Sequence, residues 1–394
     1  MLATSASARK SDLSHQRLMN IGFDGKRAAQ NRTGLGNYSR FVVRILSEQM
    51  PEDSYHLYIP NPKRTPFLRE IPTLGRLCLH FPQGLWRMAR SAWRSIGINS
   101  QLQQDHIDIY HGLSNELPWG IRQTGCLSVV TIHDVIFLHC PQYYHWIDRK
   151  IYNYKFRRAC READRVIAVS EFTKREIMHY YQVPEEKIDV VYQGCDPAFA
   201  RPASPELLEA VRQQYQLPEQ YVLYVGSIEE RKNVRLLIDA LALEKAQGRP
   251  FHLIMVGRST PYCERQKEEV KAMGLEAWCH FFHHVPFDHL PPLYRMASAF
   301  VYPSRIEGFG IPLLEAITSG TPAIGCTGSC LEEAGGPGCI YVDPDDDKAL
   351  AEAIRKVLTD EGLRQQMIAE GKAYAERFSD KRLSEDLMEV YKRL

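Results

Sequence analysis

The stretch 304–316 reads SRIEGFGIPLLEA and sets two acids, Glu307 and Glu315, eight positions apart around Gly308, Gly310 and Pro312. Ionised carboxylates accept hydrogen bonds from hydroxyl groups. Glycine lets a backbone approach a ligand closely, and the free amides of a helix start attract an anion. Here those amides belong to Phe309, Gly310 and Ile311, with Pro312 suited to the first position of a helix. Carboxylates repel phosphate, so both acids should face a neutral part of the same ligand. A sugar nucleotide has that layout: hexose hydroxyls, diphosphate, ribose hydroxyls. Each acid also has a plainer reading, Glu315 as a first-turn complement to the helix dipole and Glu307 as a solvated loop acid.

Three further stretches carry reactive side chains just after apolar runs. VGSIEERKNVRLLIDAL (225–241) follows Gly226 and Ser227 with Arg231 and Lys232. A bidentate guanidinium beside a point charge suits a diphosphate, and adjacent bases also suit solvated surface. TIHDVIF (131–137) brings His133 and Asp134 to a strand end. His133 could bond a ligand hydroxyl, carry a proton or be a satisfied internal histidine, while Asp134 could orient it or cap the next element. FDGKRAAQNRTGLGNYSRFVVRIL (23–46) sets Gly34 and Gly36 before a helix with an apolar face at Phe41, Val42, Ile45 and Leu46. That loop fits a phosphate or a simple turn. Four strand-end loops carrying such groups are harder to dismiss together than singly.

Loop residues converge only if strands aim them. The apolar runs are 18–23, 55–59, 107–111, 127–133, 165–170 and 188–193, then 220–227, 251–257, 299–304, 322–326 and 339–342. Such runs alternating with helical patterns indicate parallel sheets covered on both faces. The expected class is α/β, two Rossmann-like doubly wound domains facing across a cleft, since open sheets bind ligands beyond their strands' carboxyl ends. A proline-bearing segment, 195–220, separates the two series. The expected organisation is a disordered start (1–16), a first, acceptor-side domain (17–200), a linker (201–218), a nucleotide-sugar domain (219–378) and a C-terminal helix returning to the first domain (379–394).

Forty-nine basic side chains oppose 48 acidic ones, a formal charge of +1, so no global field recruits nucleic acid. Ten cysteines without a CxxC pair indicate neither a zinc framework nor disulfides, and suit a reducing cytoplasm. The polar start MLATSASARKSDLSHQ lacks the apolar core of a signal peptide, and no run of 18 apolar residues reads as a membrane span.

TGLGNY, TIHD, VIAVSEFTKREI followed by VVYQGCDP, VGSIEERKN and EGFGIPLLEA, in that order, resemble the motifs of the retaining nucleotide-sugar glycosyltransferases of family 4. The resemblance runs from about residue 18 to the C-terminus and leans toward bacterial mannosyltransferases. It implies the GT-B fold and a hexosyltransferase that needs neither cofactor nor metal, with GDP-mannose as the favoured donor and UDP-glucose or UDP-N-acetylglucosamine as alternatives. His133, Arg231, Lys232 and Glu307 would be catalytic, His133 beside the transferred sugar and positioning rather than acting as base. Gly34, Gly36, Gly226, Ser227, His284, Val285, Gly308, Phe309, Gly310, Ile311 and Glu315 would hold the donor, with Glu307 on the hexose and Glu315 on the ribose. Asp134, Asn37 and Tyr38 would lie on the acceptor side. A nucleotide-sugar epimerase, a phosphorylase or a non-catalytic sugar-nucleotide sensor could share the fold.

WCHFFHHVPF (278–287) departs from the pattern, with His283 and His284 where the family often has a glycine near the base. Cys279, His280 and His289 make a metal site conceivable there, though histidines lining a nucleotide pocket fit better. DPDDD (343–347) precedes a helical run and reads as a capped turn. GLWRMARSAWRSIGI (84–98) puts Leu85, Trp86, Ala89, Ala92, Trp93 and Ile96 on one helical face and Arg87, Arg90 and Arg94 elsewhere. That pattern fits either an interfacial helix docking a membrane with a lipid-linked saccharide acceptor or packing on the domain's own core. The expected location is the cytoplasm, with peripheral contact at the membrane's inner face as its extension.

Overall fold

Among the described residues thirteen strands divide into two sheets. The computed structural model describes residues 18–71 and 76–394; the start expected to be disordered, 1–16, lies outside them. β1 (Asn20–Asp24), β2 (Ser54–Tyr58), β3 (Arg76–His80), β4 (Ile109–Gly112), β5 (Leu127–Ile132), β6 (Arg165–Ala168) and β7 (Ile188–Val190) form one sheet, ordered β3-β2-β1-β4-β5-β6-β7. β8 (Val222–Val225), β9 (Leu253–Val256), β10 (Cys279–Phe282), β11 (Ala299–Tyr302), β12 (Ala323–Cys326) and β13 (Ile340–Val342) form the other, ordered β10-β9-β8-β11-β12-β13. The pairings are parallel, as expected of apolar strands linked through helices. β4, β9 and β11 are buried along their whole length, the environment their continuous apolar runs require.

In each sheet the order reverses once, between β1 and β4 and between β8 and β11. Chains leaving neighbouring strands at such a point part to opposite faces and open a crevice. The loops after β8 and β11 therefore meet: Arg305 N donates to Arg231 O at 3.1 Å, joining two stretches some 70 positions apart.

The segment 201–218 contains a helix, Pro205–Tyr215, capped by Ser204. The last helix, Asp380–Lys392, lies against the helix Gly34–Gln49 of the first sheet's layer. Arg44 pairs with Asp380 at 2.7 Å, and Tyr391 hydroxyl bonds His111 Nδ1 on β4 at 2.7 Å.

The single amphipathic helix over 84–98 is not what forms. The chain breaks into a turn (Gly84–Arg87), a short helix (Arg90–Ala92) and a π-helical turn (Trp93–Gly97). Trp93 is buried, and Arg94 turns inward to Asp24 and Glu116 at 2.5 and 2.9 Å. Burying Trp93 while pairing Arg94 inward divides the apolar face. Leu85 and Met88 are left 86% and 90% exposed.

Candidate active site

β8 ends at Val225, after which the Gly226 amide donates to Val256 O at 2.9 Å and the Ser227 carbonyl accepts from Tyr224 hydroxyl at 2.9 Å. This tied-down turn delivers Arg231 and Lys232, while β11 delivers Tyr302, Ser304 and Glu307 to the same place. Lys232 Nζ donates to the Glu307 carboxylate and, at 2.7 Å, to Tyr302 hydroxyl. Arg231 Nη1 meets the other Glu307 oxygen at 3.1 Å and donates to Ile306 O at 2.6 Å. Ser304 and Tyr302 hydroxyls add bonds of 2.6 and 3.1 Å to Glu307. Burial opposes charge on Glu307, but Lys232 and Arg231 outweigh it and hold the carboxyl at about 2. Burial likewise lowers Lys232, against the pull of Glu307. The hydrogen bonds from Lys232 to an ionised acid and a hydroxyl favour the ammonium, so the trio is one anion between two cations.

Beside it the loop 307–311 presents amides. Gly310, at φ 114°, turns the chain into the helix Ile311–Ser319. Among the described residues the amides of Gly308, Phe309, Gly310 and Ile311 reach no protein acceptor. Phe309 is buried between the rings of Tyr192 and Phe378, at 5.7 and 5.5 Å, which anchors the loop. Glu315 sits in the second turn of that helix rather than the first, because the helix starts at Ile311. Its carboxylate accepts from Tyr294 hydroxyl at 2.9 Å, yet burial pushes the carboxyl up to about 8. The two acids of the opening motif thus sit at opposite ends of the acid scale.

From the first lobe come His133 and Asp134, at the end of β5. Asp134 accepts from Ile136 N at 3.2 Å, steadying the turn into the short helix that follows, and lies within the field of Arg231, Lys232 and Glu307. The His133 ring turns inward. Its Nε2 donates to Leu113 O at 2.9 Å, Gln193 approaches Nδ1 at 3.4 Å and the Tyr38 ring meets it edge-on at 4.6 Å. Burial lowers it to about 4, so the imidazole is neutral and engaged, and what reaches the other lobe is its main chain. Tyr38 is corrected from the acceptor side: it is buried, with its hydroxyl on Thr131 at 3.1 Å, and holds His133 from behind. Asn37 is exposed and accepts from Arg40.

The Gly34–Gly36 loop also differs from expectation. Gly34 is exposed at the helix start, but the Gly36 amide is bonded to Thr33 O at 2.8 Å. A Cβ on Gly36 would lie 1.8 Å from Asn31 O, so glycine is required there for close packing, and its amide is closed to a phosphate.

His284 takes φ 58°, the left-handed conformation that glycine adopts at no cost, which accounts for the family's glycine at this point. Its neighbour Val285 packs on the core. Cys279, His280 and His289 do not converge: Cys279 is buried, His280 stacks on His252 and His289 bonds Tyr215. In DPDDD, Asp346 caps the following helix through Ala349 N, and Asp345 pairs with Arg305.

Nothing in the sequence singles out Tyr302, Ser304 and Tyr294, which position both acids, or the network by which Arg94 joins buried Asp24 to half-buried Glu116 at the end of β1. Arg94 holds Asp24 ionised against burial. Hydroxyls at the end of an apolar strand, as in Tyr302 and Ser304, or on a buried helix, as in Tyr294, look like core residues until the fold shows what they face.

The family model described as Glycosyltransferase Family 4 matches residues 40–199, and that described as Glycosyl transferases group 1 matches 209–374. O-antigen chain mannosyltransferase B of Escherichia coli is 34% identical over 385 residues, which is 92% of this chain and 96% of that protein. O-antigen chain mannosyltransferase RfbU of Salmonella typhimurium is 30% identical over 58% of this chain and 60% of its own. Among solved structures, a glycosyltransferase from Rickettsia africae superposes with TM-score 0.74 at 18% identity, over 96% of this chain and 99% of that one. Anabaena Alr3699/HepE in complex with UDP-glucose gives 0.74 at 18%, over 95% and 100%.

Proposed function

The chain belongs to the family 4 glycosyltransferases, with a group 1 glycosyl transferase lobe after residue 209, and from that premise we propose that it moves mannose from GDP-mannose onto a saccharide or lipid-linked saccharide of a surface or exopolysaccharide, with retention of configuration. Membership decides for an enzyme over a sensor. The observation that carries the mechanism is the Arg231–Lys232–Glu307 cluster beside the 308–311 loop amides, which reach no acceptor among the described residues. The choice of mannose rests on the full-length likeness to an O-antigen chain mannosyltransferase.

When the sugar leaves, negative charge grows on the departing diphosphate, and fixed donors aimed at it lower the barrier by a few kcal/mol each, on the order of 3. Arg231, Lys232 and the loop amides fill that role and supply the positive charge a divalent cation would otherwise bring, so the reaction runs without metal or cofactor. Glu307, held at about 2, has no proton to give at neutral pH. It therefore works as an acceptor for hexose hydroxyls rather than as the general acid of a hydrolase pair. Glu315 takes the ribose hydroxyls. The acceptor attacks from the leaving-group side and its proton passes to the donor phosphate, with His133 and Asp134 shaping that side.

Among the described residues no helix is long and apolar enough to cross a membrane. Contact with a membrane's cytoplasmic face would be peripheral, through Leu85 and Met88 and the exposed Trp146, Ile147 and Ile151 of the helix Trp146–Glu162, with Lys150 and Arg157 facing anionic lipid. Arg94 has no part in it.

The test is a panel of GDP- and UDP-sugars scored by thermal shift and slow donor hydrolysis, repeated in a chelator. Selective stabilisation and hydrolysis with GDP-mannose is expected. A response confined to UDP-glucose or UDP-N-acetylglucosamine would replace the donor, and loss of turnover in the chelator would end the metal-free mechanism.

A further inference from the structure

The motif VIAVSEFTKREI carries none of the groups used above, yet the structure sets its SEFT core against the donor loop. Ser170 caps the helix Glu171–Tyr181 in the first lobe, its Oγ accepting from Thr173 N at 3.0 Å. The same hydroxyl donates across the cleft to Gly308 O at 2.7 Å, and Thr173 Oγ1 donates to that carbonyl at 3.1 Å. In return Glu333 of the second lobe reaches back, its two carboxylate oxygens accepting from Glu171 N at 2.6 Å and Phe172 N at 2.8 Å. Those two amides are first-turn donors that the helix itself cannot satisfy. Gly308 allows the approach: a Cβ there would lie 1.9 Å from His133 O.

The flanking carbonyls are fixed from within the second lobe. Cys330 Sγ donates to Glu307 O at 3.1 Å and to Phe309 O at 3.0 Å. In a trans peptide the carbonyl and the next amide point in opposite directions. A carbonyl tied to Ser170 and Thr173 therefore sets the Phe309 amide facing away from them, while Cys330 sets the Gly308 and Gly310 amides.

We propose that Ser170, Thr173 and Glu333 form an interlobe clamp of positioning residues, which couples closure of the two lobes to the orientation of the loop amides that receive the donor diphosphate. The clamp rests on the proposed donor site for its purpose, but not for its existence. With the lobes apart the Gly308 carbonyl loses both hydroxyls and the Phe309 amide its fixed direction. The helix start loses the carboxylate that completes it.

Two measurements test it. Hydrogen exchange of the unliganded full chain reads the Glu171 and Phe172 amides, which should be protected at least tenfold more than in Glu333→Ala. Exchange at equal rates in both proteins would overturn the clamp, whatever the donor proves to be. Donor hydrolysis then compares Thr173→Val with Thr173→Ser. Valine keeps the shape and leaves the Ser170 cap intact while removing the hydroxyl. Turnover should fall about tenfold in the valine variant, with unchanged melting temperature, and return in the serine variant. Equal turnover in all three would refute a positioning role. Loss in both variants, with a lowered melting temperature, would reduce Thr173 to a packing residue. A wild-type protein that hydrolyses no nucleotide sugar would count against the function instead, and the exchange result would stand by itself.

Discussion

Glu315 makes donor binding a proton-releasing event. Burial raises its free carboxyl to about 8, so at pH 7 roughly nine-tenths of molecules hold the proton there. A protonated acid offers one hydroxyl donor and reduced acceptor capacity, whereas a pair of ribose hydroxyls asks for an acceptor on both oxygens. Hydrogen bonds to the charged form favour it, so a bound ribose should return the carboxyl toward its ordinary 4.5. Working the linkage through, affinity climbs roughly fiftyfold between pH 6 and pH 8 and levels off above. At pH 7 about 0.9 proton leaves per ligand bound.

Titration calorimetry in buffers of differing ionisation enthalpy measures that proton directly. The ligand should be a sugar nucleotide, because its diphosphate is a diester with no ionisation near neutrality, whereas a free nucleoside diphosphate has one. Glu315→Gln, a neutral stand-in for the acid, should bind with a pH-independent affinity and no buffer dependence. The same shift acts on folding with the opposite preference. The folded carboxyl holds its proton more tightly than the unfolded one, so its contribution to stability is complete below about 4.5 and is lost as pH rises through about 8. Binding enthalpies that are identical across buffers in the wild-type protein would refute the reasoning.

Glu307→Gln removes the anion between Arg231 and Lys232; donor turnover should fall by about a hundredfold or more, and denaturant titration should show a loss of roughly 3–5 kcal/mol, the cost of breaking a buried pair. Near-normal turnover would remove Glu307 from the site. Gly308→Ala brings a methyl group 1.9 Å from His133 O, so the lobes must part; small-angle scattering should report a larger radius of gyration, and an unchanged profile with full activity would contradict the contact. Arg94→Met leaves Asp24 buried without its cation, which should cost roughly 3–5 kcal/mol in urea unfolding, and a loss below 1 kcal/mol would show that Asp24 finds another partner.

The sheets were legible because their central strands, β4, β9 and β11 along their whole length, are buried on both faces and read as nearly continuous apolar runs. β3 was not, since RLCLH lies mostly exposed on a sheet edge and is only three apolar residues long between Arg76 and His80. The loops carrying chemistry were legible for a related reason: a switch point must gather the ends of β8 and β11, and Arg231, Lys232 and Glu307 stand one loop beyond those ends. What each of them touches was not. Nothing in the spacing says that Glu307 already holds both cations, because Arg231 and Lys232 arrive on the loop of another strand, or that Glu315 keeps its proton, because that follows from how deeply the fold buries it.

The contacts between lobes were the least legible, and the reason is physical rather than a matter of signal strength. A helix start such as SEFT reads completely as a local device, serine capping its own helix, and that reading is correct as far as it goes. The hydroxyl's proton has a local acceptor in Thr173 Oγ1 at 3.1 Å, but the first two amides remain free in that local account, and only the other lobe shows that Glu333 receives them. His133 makes the same point in reverse. A histidine at a strand end invites a role for its ring, yet here the ring is held inside by Leu113 and Tyr38 and the backbone carbonyl meets Gly308. Substituting the ring alone should therefore disturb the Tyr38 and Leu113 packing before it disturbs the cleft. A His133→Ala protein that loses stability in step with activity would fit that geometry, whereas one that loses activity with its melting temperature intact would return the ring to the reacting sugar.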